Sequence, residues 1–436
     1  MKITIIGSGY VGLVSGICLA KIGHQVICLD NDQTKIDKLN LGQIPIFEPQ
    51  LKELLSEVKS QDRIKFSSNL KESVKDAKAI FIAVGTPQDE DGSADLSYVL
   101  NVAKELVQNI KDEKLVITKS TVPAGTGQKI KELFLEINPN HKASIASNPE
   151  FLREGFAIED FMNPDRIVIG CEDQKSKEVF KEIYNYFTPE KLVFCDIITA
   201  ELIKYASNSF LATKISFINE MADLCEIVGG DIKKLSQAMG LDSRIGNKFL
   251  NPGPGFGGSC FPKDILAILN VARQNNVDLS LIESVISSNQ SRIDKMVKKI
   301  KKASGGNIPD KKISLLGLAF KANTDDIRYS PAIAIATKLL EQKAIIQAHD
   351  PEAIKNSKKE LKEFNNIEFF DDLYLAIKDC DIIVITTEWN DYKNLDLDKI
   401  KQLTNSRIIV DLRNILDSKL AKSKGFDYSS IGSQNN

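Results

Sequence analysis

The chain has 436 residues, 42% of them hydrophobic and 27% charged, with a formal net charge of −2. That length exceeds what one hydrophobic core serves, so two or three domains are expected, and the near-neutral charge carries no electrostatic footprint for nucleic acid or an anionic membrane. Seven scattered cysteines with no CxxC pair, and only three histidines, argue against a zinc site or a disulfide framework and for a reducing, cytoplasmic compartment.

Met1-Lys2 and the apolar residues after them look at first like a signal peptide. Gly7, Gly9, Gly12 and Gly16, with polar Ser8, Tyr10 and Ser15, break that stretch. No later segment approaches the roughly 20 apolar residues of a membrane span. Residues 2–6 (KITII) are instead a short β-branched run. GSGYVG (7–12) follows, then a helical pattern through Ala20 and Ile22, then a second apolar run, 25–30, ending in Asp30. Strand, glycine turn, helix, strand, acid is the order of a dinucleotide-binding unit, and Gly7, Gly9 and Gly12 have its G-x-G-x-x-G spacing. In such a unit the first glycine permits the tight turn, the second lets the backbone approach a pyrophosphate, and the third lets the helix pack close to the strand. The helix N-terminus then offers N–H groups and a positive dipole end to the phosphates. A glycine-rich packing turn is the alternative, and the β-turn-α-β context favours the dinucleotide site. Asp30 is placed for the ribose hydroxyls and repels a 2′-phosphate, which favours NAD over NADP; Lys35 nearby works the other way.

Apolar runs at 79–84, 115–118, 143–146, 167–169 and 192–194 read as further buried parallel strands. Two of them end in polar turns carrying Thr86 and Thr121, placed beyond strand ends where open sheets bind ligands. Thr121 as an ordinary turn residue remains open on position alone. SNPEFLREG (147–155) is another non-repetitive turn, whose Glu150 and Glu154 are either site groups or solvated acids.

From Thr199 to Val228 there is no Gly or Pro, and apolar residues recur at Leu211, Ile215, Ile218, Ala222 and Cys225. That spacing predicts one helix of roughly 45 Å, suited to connecting two domains and to a dimer interface. Lys204 and Asn208 are i, i+4 on it and share a face. They are either a surface pair or two donors aimed at a developing oxyanion. Residues 231–252 continue as helices and a polar loop.

GPGFGGSCFPKD (253–264) follows, with Gly253, Gly255, Gly257 and Gly258 around two prolines. No helix or strand favours such glycine density, which suits a backbone that closes on a ligand. Cys260, with Lys263 and Asp264 just after it, has the neighbours of a reactive thiol. A buried, inert cysteine in a surface loop is the alternative. Residues 263–302 are again helical, and ASGGNIPD (303–310) is a linker by composition.

After the linker the first pattern returns. ISLLGLAFK (313–321) is a strand entering a glycine turn, a helix follows Pro331, and 344–350, 381–389 and 407–413 are further strands. This second half lacks G-x-G-x-x-G, so a nucleotide would be met by side chains, with Lys321, Arg328 and Arg413 at or after strand ends. The tail SSIGSQNN reads as disordered. The expected fold is α/β, two Rossmann-like doubly wound domains joined by a central helical domain with one long helix. Its expected divisions are 1–197, 198–302 and 306–430, with a flexible tail at 431–436.

With these stretches assembled, the chain resembles the UDP-glucose 6-dehydrogenase group of nucleotide-sugar dehydrogenases. GSGYVG (7–12), PIFEPQL (45–51), VGTP (84–87), STVPAGT (120–126), SNPEFLREG (147–155), ELIKYASNSFLATKISFINE (201–220), GFGGSCFPKD (255–264) and GLAFKANTDDIR (317–328) carry the resemblance over nearly the whole chain, in family order. The resemblance implies a four-electron oxidation of the C6 alcohol of UDP-glucose to a carboxylate, using two NAD in succession. It makes Cys260 the nucleophile of a thiohemiacetal and then a thioester. It makes Lys204 and Asn208 the stabilisers of the alkoxide or oxyanion, Asp264 and Thr121 the holders of a proton-shuttling water, and Glu150 an acid–base group.

For the cofactor it implies Gly7, Gly9, Tyr10, Val11, Gly12, Asp30, Lys35, Thr86, Thr121, Glu154, Lys263 and Arg328. For the substrate it adds Phe151, Leu152, Phe249, Leu250, Asn251, Gly257, Phe320, Lys321 and Arg413 to Glu150, Glu154, Lys204 and Asn208. Arg244 matches an arginine that reaches the neighbouring subunit's substrate, which requires a homodimer. The family pattern often has arginine where this chain has Lys35. No metal, nucleic acid or membrane partner is implied.

GDP-mannose and UDP-N-acetylmannosamine dehydrogenases share the fold and the four-electron chemistry but differ around the cysteine loop, and are the nearest alternatives; GFGGSCFPKD favours the UDP-glucose type, although the GDP-mannose group has a similar loop. A non-catalytic nucleotide-sugar sensor would not keep Cys260, Lys204 and Asp264. A 2-hydroxy- or 3-hydroxyacid dehydrogenase would share GxGxxG and a connecting helix but would not need the cysteine.

Overall fold

A computed structural model describes residues 1–89, 92–404 and 406–433 of the chain. It divides into two compact units, 1–207 with 266–278, and 208–265 with 279–436.

The first unit is built on an eight-stranded sheet of β1 (Lys2–Ile6), β2 (Gln25–Leu29), β3 (Ile64–Ser67), β4 (Ala79–Ile82), β5 (Lys114–Thr118), β6 (Ala143–Ser147), β7 (Ile167–Gly170) and β8 (Leu192–Cys195), in the order β3-β2-β1-β4-β5-β6-β7-β8. The first six places, 3-2-1-4-5-6, are the order of the doubly wound dinucleotide fold. Side chains of a strand alternate between faces, and the sheet feeds a core on each side. Ile3, Ile5 and Phe81 join one cluster with the helix Tyr10–Lys21, and Ile6, Ile80 and Ile82 join the other with Val99, Ala103 and Leu106. This is why β4 reads as an unbroken apolar run, since both of its faces are covered.

One expectation fails here. The run 143–146 and the run 167–169 are not parallel neighbours: β6 and β7 meet antiparallel, at Ser147 and Gly170, while β7 and β8 pair parallel. β8 is an edge strand and only half-buried. The polar strand β3 had no apolar run to announce it.

The second unit carries β9 (Lys312–Leu316), β10 (Ile345–His349), β11 (Ile367–Phe369), β12 (Ile382–Ile385), β13 (Ile408–Asp411) and β14 (Asp427–Ser430), all parallel, in the order β11-β10-β9-β12-β13-β14. It repeats the 3-2-1-4-5-6 order of the first. Ser330 caps the helix Pro331–Glu341, accepting from the Ala332 N–H at 3.2 Å, and Pro331 occupies the first turn, where its missing N–H costs nothing. The tail differs from its sequence reading. Ser429 and Ser430 belong to β14, and Ile431 is fully buried with its N–H on Asn414 Oδ1 at 2.9 Å. The Gly432 carbonyl accepts from Ile232 N–H at 3.0 Å. Residues 434–436 lie outside the described residues.

The long helix spans Ile197–Val228, two residues more at its start than the spacing predicted. It passes from the first unit into the second between Ser207 and Asn208, and the helix Phe261–Gln274 runs from the second into the first. No helix among the described residues is long and apolar enough to cross a membrane, and none of their His, Cys, Asp and Glu side chains form a metal-holding group.

Candidate active site

At the carboxyl ends of β1, β2 and β4, where the strand order reverses, lies a cavity of about 510 Å³. Its lining includes Gly7, Gly9, Asp30, Asn31, Lys35 and Gly85. A Cβ on Gly12 would stand 1.8 Å from the Gly7 carbonyl oxygen, so only glycine lets this helix pack against the turn. A Cβ on Gly9 would meet nothing within 4 Å, which leaves the space in front of the helix open. Gly9 is also the N-cap and supplies no side-chain cap, so the first N–H groups of Tyr10–Lys21 remain available to an anion. Asp30 stands just beyond β2 and accepts from Ser8 N–H and Lys35 Nζ, both at 2.8 Å. Burial alone would raise its pKa, but the bonds from Lys35, Ser8 and Asp32 outweigh that and hold the carboxyl below its ordinary value. These residues fit a dinucleotide whose ribose meets Asp30 and whose pyrophosphate meets the helix end.

Tyr10 turns away from the turn and donates to Glu48. Glu48 is buried and also accepts from Gly155 N–H at 2.6 Å and Ala157 N–H at 2.7 Å, so it ties the helix after GSGYVG to the end of SNPEFLREG. Val11 is partly buried on the same helix turn and Glu154 on the loop that Glu48 holds. Thr86 Oγ1 donates to the Thr121 carbonyl at 2.9 Å, joining the loops after β4 and β5.

Also in the first unit, Lys204 Nζ donates to Glu150 Oε1 at 2.8 Å, with both side chains buried. Leu152 N–H donates to Glu150 Oε2 at 2.6 Å. Burial pushes Glu150 up, and Lys204, Leu152 and Lys119 together overcome it, so the carboxylate is held below its ordinary value. The Phe151 ring lies under Arg166 at 3.6 Å and near Lys204 at 5.4 Å. One turn before Lys204, buried Glu201 accepts from Gly125 N–H at 2.7 Å and Gly127 N–H at 2.8 Å, fixing the end of STVPAGT. Burial raises the Glu201 carboxyl to about 7 against those bonds.

In the second unit, Asn208 Nδ2 donates to Asp264 Oδ2 at 2.7 Å, and Lys263 Nζ donates to Asp264 Oδ1 at 2.8 Å. Asp264 is 1% exposed, so a buried anion is met by one amide and one cation. Cys260 is the residue before the helix Phe261–Gln274, and its carbonyl accepts the Asp264 N–H at 2.9 Å. Its Sγ lies 3.6 Å from Ser259 Oγ, and the residue immediately precedes a 14-residue helix.

The glycines before Cys260 face protein atoms. A Cβ on Gly255 would meet Asn289 Oδ1 at 2.8 Å, one on Gly257 the Tyr329 carbonyl oxygen at 2.3 Å, and one on Gly258 the Phe320 ring at 2.8 Å. Protein packing by itself therefore demands glycine at these three positions: the loop is thin because the rest of the second unit presses on it. Asn219 Oδ1 accepts the Gly253 N–H at 2.8 Å, and Arg292 Nε donates to the Gly253 carbonyl at 3.0 Å.

A cavity of about 600 Å³ opens beyond β12 and β13, lined among others by Lys233, Asn251, Glu388, Lys393 and Arg413. Arg413 is largely engaged, donating from Nε to the Thr386 carbonyl at 2.9 Å and from Nη2 to the Phe320 carbonyl at 2.8 Å, with Glu388 3.1 Å away. Lys321 lies 5.4 Å from the Phe320 ring centroid. Phe249 has φ of 65° and packs 6.3 Å from Phe261, and buried Leu250 accepts from Ser236 Oγ at 2.6 Å. Arg244 and Arg328 are exposed and form salt bridges with their near neighbours Asp242 and Asp326, at 2.6 and 2.7 Å. The residue corresponding to Asp30 in this half is Asp350. It accepts from Leu318 and Ala319 N–H at 2.7 and 3.0 Å and from Trp389 Nε1 at 3.1 Å, and it is 1% exposed. Its carboxylate is consumed by protein, so this half cannot hold a ribose in the manner of the first.

A doubly wound dinucleotide-binding half, a second such half without the glycine fingerprint, and a cysteine at a helix N-terminus define a dinucleotide-dependent oxidoreductase. Comparison with known proteins narrows this. The UDP-glucose/GDP-mannose dehydrogenase family matches through its NAD binding domain over residues 1–188, its central domain over 198–291 and its UDP binding domain over 314–418. A UDP-glucose 6-dehydrogenase of Rickettsia conorii is 50% identical over 434 residues, covering 100% of both chains. The structure of a UDP-glucose dehydrogenase from Pyrobaculum islandicum superposes with a TM-score of 0.91 at 36% identity, covering 99% of this chain and 98% of that one. That of a UDP-D-ManNAc dehydrogenase from Pyrococcus horikoshii gives 0.87 at 26% identity, covering 100% of each. The chain belongs to the UDP-glucose/GDP-mannose dehydrogenase family. It is an NAD-dependent oxidoreductase, and the 510 Å³ cavity lies in its NAD-binding domain.

Three buried groups, Glu48, Lys119 and Glu201, and the half-buried Asn289 received no role from the sequence. A charged residue closing an apolar strand, as Lys119 closes β5, is the one signal that was available for any of them.

Proposed function

We propose that the chain oxidises UDP-glucose at C6 to UDP-glucuronate in two NAD-dependent steps. Cys260 is the nucleophile: it adds to the aldehyde as a thiohemiacetal and then carries the acyl group as a thioester. The observation that carries this reading is Cys260 at the start of a helix whose first turn also holds Asp264, bonded to Asn208. The near-identical length and 50% identity of a relative named UDP-glucose 6-dehydrogenase support the substrate.

Bound NAD supplies the hydride acceptor of each step. Lys204 and Asn208 stabilise the alkoxide or oxyanion, Thr121 and Asp264 hold a water, and Glu150 takes the proton of the hydrolytic water. Asp30, Lys35, Thr86, Glu154, Lys263 and Arg328 serve the cofactor. Phe151, Leu152, Phe249, Leu250, Asn251, Gly257, Phe320, Lys321 and Arg413 serve the sugar nucleotide. In this reading residues 1–197 are the NAD-binding domain, 198–302 a central helical domain and 306–430 the UDP-sugar domain.

A homodimer is part of the proposal, with Arg244 reaching the partner's substrate. Phe210, Phe217 and Leu224 recur every seven residues on the long helix and are 65%, 43% and 50% exposed, an apolar stripe that a second copy would cover. A reducing cytoplasm is the compartment that keeps the Cys260 thiol free.

The test offers purified protein NAD with UDP-glucose, UDP-galactose, UDP-N-acetylmannosamine or GDP-mannose and counts NADH per sugar consumed. Two per UDP-glucose is expected, and one would refute the four-electron reading. Cys260→Ala should bind both ligands and make no acid; full turnover would remove the covalent step.

A further inference from the structure

Beside the Glu150–Lys204 pair sits a second buried cation to which the reaction above gives no task. Lys119 follows β5 and is 6% exposed. An ammonium has three N–H donors, yet among the described residues Lys119 Nζ has one hydrogen-bond partner, Asn148 Oδ1 at 3.0 Å. That oxygen also accepts from the Tyr184 hydroxyl, and the Asn148 amide is fixed by its donation to the Val168 carbonyl at 2.7 Å. Burying an ammonium this poorly met disfavours its charge. Burial brings Lys119 down to about 8, with Glu150 opposing and Lys204 adding to the fall. Lys119 and Glu150 both border a cavity of about 90 Å³. At ~30 Å³ each it has room for a few waters, and its polar wall can bond them. The other charged or titratable groups on that wall are Asp160, Asp165, Arg166 and Tyr184.

We propose that Lys119 is a proton relay for Glu150, receiving through water in this cavity the proton that Glu150 takes up during hydrolysis. The inference rests on the reading of Glu150 as the hydrolytic base and of Cys260 as the acyl carrier. In that step water forms a bond to the acyl carbon, the carbon–sulfur bond breaks and sulfur leaves as thiolate. One water proton passes to Glu150, and the other stays on the new carboxylic acid and leaves to solvent as that acid ionises. Neutral Lys119 then takes the proton from Glu150, becoming an ammonium and returning Glu150 to its carboxylate. A carboxylate held below its ordinary value by Lys204 parts with a proton readily, and a neutral amine in the same cavity is the stronger acceptor. Lys119 acts through Glu150 and does not meet the reacting carbon.

Rapid-quench intact-mass spectrometry on the full-length protein with NAD and UDP-glucose tests this by following decay of the Cys260 adduct from pH 6 to 10. In the unaltered protein the decay should quicken about tenfold per pH unit and level off with a midpoint near 8. Lys119→Met, which has no proton to exchange, and Lys119→Arg, which stays charged, should both decay at least tenfold more slowly at pH 8.5 and lose that limb. Release of the first NADH should stay within twofold. A limb retained in either variant overturns the relay. So does a flat decay between pH 7 and 9 in the unaltered protein, which needs no variant to fold. Absence of any Cys260 adduct in all three proteins would overturn the covalent reading and the relay with it.

Discussion

Asn289 grips the backbone of Phe256 with both ends of its amide: Nδ2 donates to the Phe256 carbonyl at 3.0 Å and Oδ1 accepts the Phe256 N–H at 2.9 Å. The pair joins the helix Ser280–Ala303 to the loop four residues before Cys260. Losing two such bonds costs about 1–3 kcal/mol. Asn289→Ala is therefore expected to lower kcat about tenfold and to change the rate of Cys260 alkylation by iodoacetamide, leaving NAD affinity unchanged. Equal alkylation rates in the two proteins would show that the loop holds its place without Asn289.

Lys204→Ala should cost more than activity. It leaves Glu150 buried without the cation 2.8 Å away, a loss of about 3–5 kcal/mol when one partner of a buried pair is removed. The Glu150 carboxyl is held below its ordinary value in the folded protein. The stability it contributes is thus present above its unfolded pKa and is lost as pH falls through the lower folded one. Urea unfolding at pH 7 and at pH 4 should show the gap between the two proteins narrowing in acid.

Asp30→Ala should weaken NAD binding about tenfold and leave sugar-nucleotide binding unaltered, read by fluorescence titration of each ligand. The substitution also releases Lys35, which now donates to Asp30 Oδ2. Discrimination against NADP should therefore fall as well. An unchanged NAD affinity would move the ribose contact elsewhere.

Glu201 predicts a slope of the opposite sign to Glu150. Its carboxyl is raised to about 7 by burial, so the folded protein holds a proton that the unfolded chain has released. Its contribution is fully present below the unfolded pKa and is lost as pH rises through 7. Glu201→Gln should flatten the unfolding free energy between pH 5 and 8. A slope as steep as before would place the titration on another group.

The β1–GSGYVG–Asp30 unit was legible because each of its parts is a neighbour in sequence of the next. The long helix was legible because 30 residues without Gly or Pro allow little else. What escaped is set by partners far along the chain. Glu48 is 107 residues from Gly155, and Asn289 is 33 from Phe256. Nothing near either residue announces the contact. The edge strands β3, β11 and β14 hold few apolar residues, and the second half of β14, Ser429 and Ser430, reads as the start of the tail because DYSS has no apolar run. Tyr428 nevertheless buries its ring and donates to Asp411 Oδ2 at 2.8 Å, which anchors that strand. The direction of β7 follows from a connection and leaves no mark in the residues of the strand.

The four glycines before Cys260 differ in what a later mutation elsewhere could repair. At Gly253 the obstructing atom is Arg413 Nη1, 3.1 Å away at the end of a flexible side chain, and a neighbouring substitution that lets that side chain shift makes room. At Gly257 the obstruction is the backbone carbonyl of Tyr329, 2.3 Å away. No exchange of side chain removes a carbonyl oxygen. In a screen for compensating mutations, a lineage that loses Gly257 should recover only by reversion, whereas one that loses Gly253 has a second road back.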